Sequence, residues 1–379
     1  MLSVLLSVPV SFLITYLVLP AIMRVASEKK LFDVPDARKL HTKHIASLGG
    51  VGIFLGFFLS TFLVVAYSDT QNFQYFFAAA VVIFFLGLKD DILILSARKK
   101  FLGQLGATAI LVHLGGVRID SMYGVLGFQN VPELLGVILS YTTVMVIINA
   151  FNLIDGVDGL AGTLGLLTTS VFGAYFLFAG LHGFAALSFS MTAALAAFLV
   201  FNYHPAKIFM GDSGSLLLGM LNAILVIKFM AVANAPGAVF PVASVAAVAF
   251  SILIVPLLDT LRVFTIRLIH GRSPFSPDRN HIHHLLLDRG LSHNSVVLTC
   301  VGLNAAFIAM AWFGQSMGST FLLVGMIAVA FAMLAGLTYL KKPKSKLVIA
   351  KSFQRNTETV LHSATKVVSI NKEVAAMEQ

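Results

Sequence analysis

Eleven runs of mostly apolar residues, near 1–23, 48–67, 74–89, 101–115, 134–151, 159–180, 183–202, 213–232, 238–269, 294–313 and 318–340, alternate with short polar connections. A chain built this way has few folds open to it. A bilayer-spanning helix needs about 20 apolar residues, and in hydrocarbon every backbone N–H and C=O must be bonded internally, which leaves helices and closed barrels. Runs of this length and continuity predict helices. Hydrophobic residues make up 58% of the chain, charged residues 11%, and the mean hydropathy is +0.90; a soluble domain has roughly 45–50% and about 25%. The reading is an all-α polytopic membrane protein with about eleven transmembrane helices. The first run, Met1-Leu-Ser-Val-Leu-Leu onward, lacks a basic leader and a small-residue cleavage pattern, so it is read as a retained helix rather than a signal peptide.

A net charge of +9 invites a nucleic-acid reading, but the basic residues follow topology. Of the 26 Lys and Arg, all but Arg118 and Lys228 fall on one side of the eleven-span arrangement. By the positive-inside rule that side is cytoplasmic, with the N-terminus outside and the C-terminus inside. Residues 1–340 then form one integral-membrane domain with cytoplasmic loops at 24–47, 89–100, 152–158, 203–212 and 270–293. The tail 341–379 opens Lys341-Lys-Pro-Lys and suits anionic lipid headgroups. On the opposite face, Gly116 to Glu133 suggests a small hairpin. Cys300, the single cysteine, lies in an apolar run and is read as a small buried side chain.

Carboxylates are expensive in a bilayer, so acidic clusters at the ends of apolar runs point to a polar site at one membrane face. Counted along the spans, all four clusters reach the cytoplasmic side. Asp90-Asp91 is followed by Arg98-Lys99-Lys100 and Gln104, which combines acceptors for a hard cation with donors for an anion; Lys100 and Gln104, four apart, share a helix face. Asn149, Asn152 and Asp155 recur at three-residue spacing, with Gly156, Asp158 and Gly159 beyond them. Such oxygen ligands suit Mg²⁺, which bridges carboxylates to substrate phosphates. In Gly211-Asp212-Ser213-Gly214, the aspartate and serine fit either a helix N-cap or a phosphate and metal site.

The fourth cluster, Pro277-Asp-Arg279-Asn-His281-Ile-His283-His284, lacks the paired spacing of a structural zinc centre and the intervening glutamate of a zinc protease. Ile282, Leu285 and Leu286 form an apolar stripe, leaving His281, His284 and Asp288 on another face of a short interfacial helix. Donors to a pyrophosphate or sugar are the preferred reading.

Together these motifs resemble the polyprenyl-phosphate N-acetylhexosamine-1-phosphate transferase family across nearly all of 1–340. Asn149-Ala-Phe-Asn-Leu-Ile-Asp-Gly-Val-Asp-Gly and Phe209-Met-Gly-Asp-Ser-Gly-Ser match its pattern, and the histidine run is similar to the bacterial undecaprenyl-phosphate N-acetylglucosamine-1-phosphate transferases. The resemblance implies transfer of GlcNAc-1-phosphate from UDP-GlcNAc to undecaprenyl phosphate in a bacterial inner membrane, with release of UMP and with Mg²⁺ or Mn²⁺. A lipid-linked surface polysaccharide such as O-antigen would begin at this step. By the same resemblance, Asp212 and Asn152 are metal ligands. Asp155 and Asp158 face nucleotide and metal, and Asp90 and Asp91 activate the lipid phosphate. Lys100, Asn149, Arg279, His281, His283 and His284 contact substrate. Two positions depart from the pattern: Ile94 where a polar residue is common, and no proline before Gly49-Gly50.

The chemistry accounts for these residue types. A lipid phosphate must approach a pyrophosphate, so the site has to offset repulsion between anions and stabilise the leaving UMP by positioning and electrostatics. Asp90 is a candidate for removing the last lipid-phosphate proton, although a carboxylate near ~3.9 is a weak base against a second phosphate pKa of about 6. The related phospho-MurNAc-pentapeptide transferases share the metal and nucleotide motifs but differ in the histidine loop. A cation-coupled transporter would instead place its ionisable residues near the midplane between broken helices.

Overall fold

The computed structural model describes residues 1–29, 45–64, 72–93, 95–271 and 281–339. Residues 30–44 of the first cytoplasmic loop, Ile94, Arg279 and the basic tail lie outside them. The described chain is helical and comprises α1 (Leu2–Glu28), α2 (Gly49–Val64), α3 (Phe73–Leu93), α4 (Ala97–Ala109), α5 (Glu133–Ile154), α6 (Leu160–Phe178) and α7 (His182–Asn202). Then come α8 (Gly211–Ala233), α9 (Val245–Ile252), α10 (Ile254–Ile269), α11 (Ile282–Leu287), α12 (His293–Phe313) and α13 (Ser319–Tyr339). Among the described residues, seven helices are long and apolar enough to cross a membrane, or eight if the bent pair α9 and α10 is one span. The protein is thus a multi-pass membrane protein. The other expected segments are also helical: α2 has 16 residues, α3 carries Lys89-Asp90-Asp91 just before its end at Leu93, and α4 continues through a π-helical turn, Ile110–Leu114.

The structure corrects the expectation of one continuous span over 238–269. The helix bends by 81° at Leu253. Pro256 supplies the cause, since it has no N–H to return to the carbonyl of Ile252. Asn304 of α12 meets the groups freed at the break: its Nδ2 donates to the Ile252 carbonyl at 2.9 Å, and its Oδ1 accepts from the Val255 N–H at 3.2 Å. In hydrocarbon these groups have no water to turn to, so a fully buried asparagine is the repair. The expected hairpin is reduced to an isolated antiparallel bridge between Ser121 and Asn130 and a 3₁₀ turn, Val125–Gly127. Cys300 is buried, as expected.

α8 is buried along nearly its whole length and forms the axis of the assembly. Neighbouring helices approach its first turn through glycine. A Cβ on Gly50 of α2 would sit 2.1 Å from the Gly214 nitrogen, and one on Gly87 of α3 would sit 2.5 Å from both the Asp212 carbonyl oxygen and the Ser213 nitrogen. Small residues allow close helix packing in lipid, where apolar side chains gain little from leaving one apolar surroundings for another. Here they bring the ends of α2, α3 and α8 together.

Candidate active site

The acids at the end of α3 divide into two roles. Asp91 turns its carboxylate onto the first turn of α8, where Oδ1 accepts from the Asp212 N–H at 2.7 Å and Oδ2 from the Ser213 N–H at 3.0 Å. Those amides have no partner within their own helix, and the positive end of the helix dipole favours the anion. Asp91 is therefore a cap supplied by a neighbouring helix. Asp90 has other partners: its Oδ2 meets Lys100 Nζ at 2.6 Å, and its Oδ1 accepts from the Leu95 N–H.

Lys100, one turn into α4, also pairs with Asp212 Oδ2. Its ammonium group lies between two carboxylates contributed by α3 and α8. Asn152, in the last turn of α5, completes the polar ring: its Nδ2 donates to Asp212 Oδ1 at 2.6 Å and to Ser215 Oγ at 3.0 Å. Asn149, one turn earlier, commits its amide elsewhere. Its Nδ2 donates to Gln104 Oε1 at 2.9 Å and to the Met145 carbonyl at 2.8 Å. The shared face of Lys100 and Gln104 is present, with Gln104 meeting Asn149 and Lys100 meeting Asp212.

Asp155 occupies the residue after α5, with φ −77° and ψ 55°. Burial, together with the negative charges of Asp212, Asp91 and Asp158, pushes its carboxyl pKa up to about 8. Asp158 is buried, and its Oδ2 accepts from the Ala206 N–H at 3.2 Å and meets His204 Nδ1 at 2.7 Å. The His293 Nδ1 lies 3.8 Å from the same oxygen. Asn202 ties the two loops together, accepting from the Gly159 N–H at 2.9 Å and donating to the Ile208 carbonyl at 2.8 Å.

The expected short helix is present as α11, but His281 precedes it instead of lying on its face. His281 caps the start of α11 with extended backbone, φ −71° and ψ 152°, and both His281 and His283 are buried. Their rings are parallel within 3° at a centroid distance of 5.4 Å, and the His284 ring lies 4.4 Å from that of His283. A Cβ on Gly156 would sit 2.4 Å from His283 Nε2, so the glycine admits the ring against the turn after α5. Burial drives the His283 pKa down to about 3. His283 is therefore a neutral hydrogen-bonding group near neutral pH, not a source of positive charge.

Three partners were missed in the sequence reading. Ser215 follows the Asp212 motif too closely to stand out, and His204 lies alone beside a proline. Asp259 did carry a signal: it is an acid inside an apolar run, and such a residue is by default a functional candidate. It is fully buried and receives hydrogen bonds from His281 Nδ1 at 2.9 Å and the Ile282 N–H at 2.7 Å.

A lysine clasped by carboxylates, with amide and carboxylate oxygens around it at one end of a membrane helix assembly, defines the class: a membrane-embedded protein with a polar site suited to anionic, phosphate-bearing substrates. The sequence places the chain more narrowly. Residues 73–230 match the family described as glycosyl transferase family 4. The chain is 35% identical over 299 residues to a probable undecaprenyl-phosphate N-acetylglucosaminyl 1-phosphate transferase of Bacillus subtilis, covering 76% of this chain and 78% of the relative. It is 35% identical over 345 residues to the decaprenyl-phosphate N-acetylglucosaminephosphotransferase of Mycobacterium tuberculosis (strain H37Rv), covering 84% and 85%. With the undecaprenyl-phosphate alpha-N-acetylglucosaminyl 1-phosphate transferase of Escherichia coli (strain K12) it shares 31% identity over 303 residues, covering 79% and 80%. The chain belongs to the polyprenyl-phosphate N-acetylhexosamine-1-phosphate transferase family.

Proposed function

We propose that the protein transfers GlcNAc-1-phosphate from UDP-GlcNAc to undecaprenyl phosphate at the cytoplasmic face of a bacterial inner membrane. The products are undecaprenyl-pyrophosphoryl-GlcNAc and UMP, and the reaction opens the assembly of a lipid-linked surface polysaccharide such as O-antigen. The observation that carries this reading is the seating of Lys100 between Asp90 and Asp212, joined to the activities named for the relatives.

Mg²⁺ or Mn²⁺ is the proposed cofactor. Asp212, Asn152 and Asp155 offer hard oxygen donors of the kind magnesium takes; the pKa of Asp155 is raised first by burial and then by neighbouring negative charge, and a divalent cation offsets the second of these. Bound there, the ion supplies charge stabilisation to the reacting phosphates. Lys100 contributes a fixed positive charge beside it, and Asn152 holds the Asp212 carboxylate in place through its amide. An oxygen of the lipid phosphate attacks the β-phosphorus of UDP-GlcNAc, the bond to the bridging oxygen breaks, and UMP leaves with that oxygen. Asp90 serves by retaining Lys100. Paired with that ammonium it remains a carboxylate, while a lipid phosphate with a second pKa of about 6 is already largely dianionic near neutral pH.

The test is UMP release by purified, folded protein given undecaprenyl phosphate, Mg²⁺ and a panel of UDP-sugars that includes UDP-GalNAc and UDP-MurNAc-pentapeptide. UDP-GlcNAc is expected to support turnover. Turnover with UDP-MurNAc-pentapeptide alone would assign the chain to peptidoglycan synthesis, and no UMP with any donor would end the transferase reading.

A further inference from the structure

Asp259 takes no part in the reaction outlined above, yet it stands in α10 within the broken span and is 0% exposed. A carboxylate buried within an apolar span is costly, so its presence calls for strong, specific partners. Both of its oxygens have them, and both lead to one place. Oδ2 holds His281 Nδ1 at 2.9 Å, and Oδ1 holds the Ile282 N–H at 2.7 Å, so the carboxylate fixes the first turn of α11 as well as the side chain of the residue that precedes it. An ionised carboxylate only accepts, which places a proton on His281 Nδ1. The His281 ring lies parallel to that of His283, and His283 rests against Gly156, the residue after Asp155. Asn304 determines where this chain of contacts begins, because it bonds both sides of the break at Leu253 and so holds α10 in the direction that carries Asp259.

We infer that Asp259 is a positioning residue for the transfer reaction: it locks the tautomer of His281 and seats the paired rings of His281 and His283 against the Asn152–Asp158 loop, with Asn304 holding its helix in place. This rests on the proposed function for its kinetic consequence, while the tautomer and the geometry stand without it. Partners that orient a functional histidine typically contribute about 10–100-fold to activity.

The experiment compares Asp259→Asn, His281→Gln and the double variant in full-length protein in lipid nanodiscs. It reads kcat and KM for UDP-GlcNAc, together with the ¹⁵N spectrum of histidine-labelled protein. Asp259→Asn presents an amide that can donate to Nδ1. The His281 signal, identified by its loss in His281→Gln, should move from the Nδ1–H to the Nε2–H tautomer. In the same variant kcat should fall about 10–100-fold with KM nearly unchanged, and Asp259→Asn should have no further effect in the His281→Gln background. An unchanged tautomer, or equal rate losses in both backgrounds, overturns the inference. Should Asp259→Asn not fold, Asn304→Ala provides the second route: it should lower kcat in wild-type protein and have little effect in His281→Gln, and equal losses in both backgrounds would overturn the inference as well. Wild-type protein without turnover would refute the proposed function alone, since the spectrum still reports on the pair.

Discussion

The carboxylate of Asp91 caps the helix that carries Asp212, accepting from the Asp212 and Ser213 amides at 2.7 and 3.0 Å. The two halves of the Asp-Asp pair are thus unequal. Asp91→Ala should lower stability by about 1–2 kcal/mol, the usual cost of losing a cap, and reduce turnover by loosening Asp212. Asp90→Ala should reduce turnover with a smaller loss of stability, because its partner Lys100 keeps Asp212 and some contact with water. Thermal unfolding and UMP release measured side by side distinguish the two; equal stability losses would contradict the division.

Lys100 is held between Asp90 and Asp212. Removing its charge while keeping its length, as in Lys100→Met, leaves the carboxylates unopposed and removes a fixed cation from the reacting phosphates. Loss of one preorganised electrostatic contact typically costs about 10²–10³ in kcat. That loss should persist at saturating Mg²⁺, and recovery of full rate by added metal would show that Lys100 acts only through metal affinity.

Gly156 has no room for a side chain, with a built Cβ 2.4 Å from His283 Nε2. Gly156→Ala should push the histidine helix away from Asp155. A displacement of about 1 Å costs about 10²-fold in rate when positioning dominates. The variant should keep its helical circular dichroism while losing turnover; wild-type kcat would mean that the two segments need not touch during the reaction.

His283 is neutral when folded, its pKa driven by burial to about 3, against about 6.5 in an unfolded chain. Below pH 6.5 the unfolded segment takes up a proton that the folded one refuses. The stabilising contribution is therefore complete above about pH 6.5 and declines as pH falls toward 3. Hydrogen exchange over 281–287, corrected for intrinsic rates, should show more frequent opening at pH 5 than at pH 7.5, and His283→Gln should remove that difference. A pH dependence unchanged in the variant would assign it to another group.

Much of the fold could be read from one-dimensional pattern, because bilayer thickness and the need to satisfy the backbone make a helix visible as a run of apolar residues. The bend at Leu253 was not visible in that way. Pro256 marks a weak point in any helix, but whether the chain bends depends on Asn304, 48 residues after the proline, being present to bond the freed groups. The site was legible as types of residue and less so as partners. Asp212, Asn152, Asp155, Asp90 and Lys100 do converge, whereas Asn149 turns to Gln104 and Asp91 to backbone amides. Asp158 lies with His204 and His293, a grouping drawn from two loops and the start of α12 that no local spacing encodes. Arg279 lies outside the described residues.

In the proposed reaction a phosphorylated sugar, and not a bare sugar, moves to the lipid. Incubating the purified protein with undecaprenyl phosphate, Mg²⁺ and UDP-GlcNAc labelled with ³²P at the β-phosphate tests it directly. Cleavage between the two phosphorus atoms predicts that the label passes to the lipid product and that the released nucleotide is unlabelled UMP. Label recovered in UDP, with an unlabelled lipid product, would contradict the account.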